Sequence, residues 1–139
     1  MPLYGVDFSG ATKAGNHVWV TSGFVREGKM RITNTVRGRD LPGSSVSRDQ
    51  CLPALREFIK SNPGVYGLDF PFAVHSSQMF GCNNWTDFIK RFIKRFKSPE
   101  DFRDYCRSVS PKPELKRQCD IISDAPFAPY NLWIYRQTY

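Results

Sequence analysis

The sequence predicts an α/β fold: a mixed sheet with a three-strand antiparallel meander, a crossover helix and a parallel strand, followed by helices. Three observations carry this. Tyr4-Gly5-Val6-Asp7-Phe8 and Tyr66-Gly67-Leu68-Asp69-Phe70 are near copies, each an apolar run closing on Gly, one apolar residue, Asp and Phe. Runs of that length read as buried strands. Between them lie a hairpin signal and a stretch of helical period. Beyond the second copy, apolar residues recur every three or four positions, the pattern of amphipathic helices.

The first strand runs from Leu3 to Phe8. Small, polar and glycine residues from Ser9 to Asn16 make a loop. A second strand, His17 to Val25, places Val18, Val20, Ser22 and Phe24 on one face. Arg26-Glu27-Gly28-Lys29 is a hairpin turn, with Gly28 available for a positive φ. Met30 to Val36 alternates apolar and polar residues, as a half-buried strand should. After a loop from Arg37 to Ser47, a helix covers roughly Leu52 to Lys60, with Leu52, Leu55 and Ile59 on one face. Ser61-Asn62-Pro63-Gly64 stops it. The fourth strand is Val65 to Phe70.

Trp85, Phe88, Ile89, Phe92, Ile93 and Phe96 then define a strong amphipathic helix, expected to bury its aromatic face against the sheet. Lys90, Arg91, Lys94, Arg95 and Lys97 occupy its other face. A further helix opens at Ser98-Pro99-Glu100-Asp101, with a Ser cap, Pro at the first position and acids in the first turn. Its apolar face is Phe102, Tyr105, Cys106 and Val109. Ser110-Pro111-Lys112-Pro113 ends it, and a short helix is expected from Glu114 to Ile122. The last ten residues carry Trp133, Tyr135 and Tyr139, which reads as a docked terminal segment or a chain cut within a domain.

This order brings two acids together. A right-handed crossover lays strand four parallel to strand one. If the two are neighbours, Asp7 and Asp69 emerge at the same sheet edge, where ligands sit in open α/β sheets. A buried strand rarely leaves a carboxylate without a partner, so the pair points to a metal site.

Composition sets wider bounds. A chain of 139 residues suits a single domain, 1–139. No run of about twenty apolar residues exists, so no membrane partner is expected. The N-terminus shows no secretory pattern. Cys51, Cys82, Cys106 and Cys119 have no C-x-x-C spacing, which reads as reduced thiols in a cytoplasmic protein. Twenty Lys and Arg against thirteen Asp and Glu give a formal charge of +7, which favours polyanionic partners.

Strand-Asp, hairpin, helix and strand-Asp is the order of the ribonuclease H-like fold. Gly5-Val6-Asp7-Phe8-Ser9-Gly10 and Gly67-Leu68-Asp69-Phe70-Pro71 resemble one branch of it, the domain of unknown function 429 family of predicted ribonuclease H-like nucleases. Arg117-Gln118-Cys119-Asp120 is similar to a later motif of that family. The fold's usual last acid, on a helix after a fifth strand, has no clear counterpart here. The resemblance implies metal-dependent hydrolysis of nucleic-acid phosphodiesters with Mg²⁺ or Mn²⁺. Asp7 and Asp69 would be the metal ligands, and Asp7, Asp69 and Asp120 the catalytic acids, with Asp124 a further candidate. Mg²⁺ keeps several waters, so few carboxylates suffice. Lys90, Arg91, Lys94 and Arg95 would track the phosphate backbone.

Each feature also has a plainer account. Asp before Ser-Gly or Phe-Pro is a good turn former. A basic helix face is more often solvated than bound, Trp85 and the phenylalanines suit a core, and His75, six residues after Asp69, suits a surface hydrogen bond better than proton transfer. Two other functions compete. Related actin-like kinases and ATPases also begin a hairpin at a strand Asp, and Ser9, Gly10, Thr12 and Lys13 would then bind phosphate. A non-catalytic nucleic-acid or protein interaction module on the same fold would need no third acid.

Overall fold

Strand β1 (Pro2–Asp7) forms the centre of a four-stranded mixed sheet in the computed structural model, which describes residues 1–71, 73–110, 115–126, 128–130 and 135. β2 (Trp19–Arg26) and β3 (Lys29–Arg37) follow as an antiparallel meander, and β4 (Val65–Asp69) lies parallel to β1. The strand order is β3-β2-β1-β4, as the crossover argument requires. The β2–β3 turn has Glu27 at φ 53° and Gly28 at φ 71°. Two successive positive φ values match the twist of a tight hairpin. The chain forms two compact units, Met1–Phe70 and Pro71–Tyr139.

In the first unit, helix α1 (Arg48–Ser61) covers one face of the sheet. Val6, Val18, Val20, Cys51, Ala54 and Leu55 are buried together, with Tyr66, Leu68, Phe58 and Ile59 packed around them. α1 begins four residues before the expected start, so Pro53 lies inside it. Pro53 has no N–H to give the carbonyl of Asp49. Tertiary bonds anchor the earlier start: Arg48 N–H donates to the Thr12 carbonyl at 3.0 Å, and Gly15 N–H to the Val46 carbonyl at 3.1 Å.

Strand β3 departs from the half-buried expectation. Met30 and Ile32 are each 67% exposed. The cause is a bulge: Ser22 pairs with Asn34, but Gly23 pairs with Ile32, leaving Thr33 extra. One extra residue reverses the faces. Val36 therefore packs toward α1, while Met30 and Ile32 turn to the opposite face. The approach at the bulge needs glycine, since a Cβ on Gly23 would stand 2.5 Å from the Arg31 carbonyl oxygen.

The second unit contains α2 (Trp85–Arg95), α3 (Pro99–Val109) and α4 (Gln118–Ile122). The Asn84 side chain accepts the Asp87 N–H at 2.8 Å, and the Ser98 hydroxyl accepts the Asp101 N–H at 3.1 Å, so both longer helices start on polar caps. Phe88, Phe92 and Phe96 are buried, and the described members of their cluster, among them Phe102, Cys106, Tyr130 and Tyr135, all come from residues 74–135. Trp85 stacks on Phe88 with ring centres 5.3 Å apart and remains 45% exposed. α4 is shorter than the expected helix, and Glu114, Trp133 and Tyr139 lie outside the described residues. All four cysteines are free, and burial pushes the Cys106 thiol up to about 12. Among the described residues, no helix is long and apolar enough to cross a membrane.

Candidate functional site: two carboxylates at one sheet end

Asp7 closes β1 and Asp69 closes β4, and the two are register partners. Neighbouring strands lie about 4.8 Å apart, and in-register residues project from the same face. Asp7 also pairs with Trp19, and Trp19 with Arg37. One row across the sheet end therefore reads Arg37, Trp19, Asp7, Asp69. The Arg37 guanidinium carbon lies 4.9 Å from the centre of the Trp19 ring, a cation–π contact. This face is the one turned away from α1.

The next row on the same face reads Thr35, Thr21, Gly5, Gly67. The two threonine hydroxyls are 3.2 Å apart. A Cβ on Gly5 would meet nothing within 4 Å, and on Gly67 only the Tyr4 carbonyl oxygen at 3.9 Å. An open depression of about 530 Å³ lies over this end of the sheet, lined by Asp7, Asp69, Trp19, Thr21, Gly5 and Gly67 among others. A second hollow of about 340 Å³ continues along the face, lined by Gly5, Gly67, Leu3, Val65, Met30 and Ile32 among others. Both carboxylate-bearing residues are exposed.

The residues after Asp7 form its adjoining loop. The Ser9 hydroxyl accepts the Ala11 N–H at 3.3 Å. Gly10 is buried, whereas Thr12 and Lys13 are exposed. The expected phosphate-binding residues thus follow β1 directly, with Ser9 engaged in a local turn.

The remaining expected acids lie in the second unit. Asp120 is 5% exposed and both its oxygens are engaged. Oδ1 accepts Arg117 Nη2 at 2.6 Å, and Oδ2 accepts Arg117 Nε at 2.8 Å and the Arg117 backbone N–H at 2.9 Å. Arg117 also donates to the Ala73 carbonyl at 3.2 Å. The hydrogen bonds from Arg117 hold the Asp120 carboxyl below its ordinary range against the opposing effect of burial. Asp124 is exposed in the turn after α4 at φ 52°. The His75 ring accepts the Ser77 N–H through Nδ1 at 3.3 Å and caps a single 3₁₀ turn. Among the described residues, no group of three or more His, Cys, Asp and Glu side chains is placed to hold a metal.

The basic face of α2 divides in two. Arg91 donates to Asp87 at 3.1 Å, and Arg95 stacks with its guanidinium carbon 4.5 Å from the Tyr105 ring centre and 5.2 Å from that of Phe80. Lys90 and Lys94 project into solvent.

Trp19, Thr21 and Arg37 were not legible as neighbours of the acids. Counting back from the Glu27-Gly28 turn pairs Trp19 with Val36, and only the bulge brings Arg37 opposite it. Comparison with known proteins finds no matching family model, curated protein or solved structure.

Proposed function

We propose that the protein is a metal-dependent nuclease on a ribonuclease H-like fold, acting in the cytoplasm on nucleic-acid phosphodiesters. The observation that carries this reading is the register pairing of Asp7 with Asp69 at the carboxyl ends of adjacent parallel strands. Two like charges side by side repel, and a cation between them relieves that repulsion. The donor set fits Mg²⁺ or Mn²⁺, which take oxygen ligands and need only one or two carboxylates beside a substrate phosphate. Asp7 and Asp69 would hold the ion, which supplies charge neutralisation at the phosphate and a more acidic bound water. The open face beyond them leaves the site accessible to a polymer, and Gly5 and Gly67 present no side chain to keep one at a distance.

A second reading has its own support. Asp120, the expected third acid, has both oxygens committed to Arg117, which suits a non-catalytic interaction module on the same fold. One experiment separates the two. Wild type, Asp7→Asn and Asp69→Asn are incubated with RNA, single-stranded DNA and RNA–DNA hybrid, with Mg²⁺, Mn²⁺ or chelator. The nuclease reading expects wild-type cleavage with either metal and none with chelator or either variant. Binding without cleavage under every condition selects the module.

A further inference from the structure

Helix α2 carries a line of apolar side chains that stay partly exposed, although the Trp85 ring stacks on Phe88 at 5.3 Å. Trp85 is 45% exposed, Ile89 39% and Ile93 71%. They recur at four-residue steps, so they form one ridge about 12 Å long. Helical geometry places Lys90 and Lys94 along one flank of that ridge. The only acid within α2, Asp87, is held by Arg91. None of the ion pairs among the described residues uses Lys90, Lys94 or Lys97.

We propose that this ridge is a peripheral docking surface for an anionic lipid bilayer, with Trp85, Ile89 and Ile93 entering the headgroup boundary and Lys90 and Lys94 on lipid phosphates. Charge complementarity argues for the occupant: Lys90 and Lys94 stand beside the apolar groups outside any ion pair of the described residues, and the one acid of the helix, Asp87, is already neutralised by Arg91. A helix presenting Trp and aliphatics on one side and Lys on the other is suited to lie in a membrane interface. Lysine stems extend along the apolar ridge while their ammonium groups reach phosphate. Size argues against a protein partner. At these exposures the three apolar side chains offer on the order of 300 Å², against about 800 Å² per partner in a standard protein interface. A nucleic acid would use the lysines but leave Ile93 without a role.

The test is co-sedimentation of the full chain with phosphatidylcholine vesicles, with and without phosphatidylserine, at low and high salt. Wild type is expected to sediment only with the phosphatidylserine vesicles and to be released by salt. Ile93→Ser is expected to weaken binding about tenfold or more, and Lys90→Gln with Lys94→Gln about fivefold per lysine. Circular dichroism checks that each variant keeps its fold, and both changes lie at exposed positions. Failure of wild type to bind phosphatidylserine vesicles overturns the proposal. So does Ile93→Ser binding them as well as wild type. A chain that binds a DNA oligonucleotide but no vesicle, equally in wild type and Ile93→Ser, also overturns it and assigns the lysines to nucleic acid.

Discussion

Asp7 and Asp69 set the terms at the residue scale. Like charges directly opposite in a sheet are destabilising, by up to about 1 kcal/mol. Asp7→Asn should therefore raise the melting temperature slightly in chelator, because it removes the repulsion. In Mg²⁺ the order should reverse, since wild type gains from bound ion and the variant gains less. Thermal unfolding with and without Mg²⁺ reads both effects, and an equal Mg²⁺ shift in the two proteins would show that the pair holds no ion. The pair was legible because two near-identical strings place Asp at the same distance from the strand start. Its neighbours were not: Trp19 meets Asp7 across a loop whose residues fix no register, and Arg37 comes opposite Trp19 only through one extra residue in β3. Gly23 marks that point. Gly23→Ala puts a Cβ against the Arg31 carbonyl and should cost about 1–3 kcal/mol. Gly5→Ala, with open space before it, should leave urea stability unchanged or slightly raised. Equal losses in the two variants would contradict the close approach at the bulge.

At the scale of elements, the helices with strong local signals appear where their residues place them. α3 has its Ser98 cap, Pro99 and first-turn acids where expected. α1 begins earlier than its sequence suggests because backbone bonds from Arg48 to Thr12 and from Gly15 to Val46 anchor its start, and such tertiary bonds leave no local pattern. Amphipathic period shows that α2 has a buried face, but says nothing of what buries it. α4 is too short for propensity to hold it, and Arg117–Asp120 secures its start. The Asp120 carboxyl is held low by Arg117, so its stabilising effect is complete above the unfolded value, about pH 4. It is lost as pH falls through the lower folded value. Asp120→Asn should destabilise the second unit by about 2 kcal/mol near neutrality. The difference from wild type should close as the solution is acidified below about pH 4. Denaturant midpoints across that range test this, and a constant gap would contradict it.

For the whole molecule, the strand order and the parallel pairing followed from connection rules that restrict how a crossover can run. The division into two compact units was not legible, because Asp69-Phe70-Pro71 reads as a turn and carries no linker composition. With a net charge of +7, the proposed association with nucleic acid should weaken steeply as salt rises, in proportion to the phosphates neutralised. That dependence concerns binding and leaves chemistry apart. Under the proposed nuclease reading, removing one of the two carboxylates should therefore strike the cleavage rate far harder than the affinity. The most direct test is a paired measurement of cleavage and binding on one RNA or DNA substrate, in Mg²⁺ or Mn²⁺, by wild type and Asp7→Asn. The predicted result is metal-dependent cleavage by wild type, loss of at least about a hundredfold in rate in the variant, and affinities within about threefold of each other. Cleavage by the variant at the wild-type rate, or by wild type in chelator, would contradict a site built on Asp7 and Asp69.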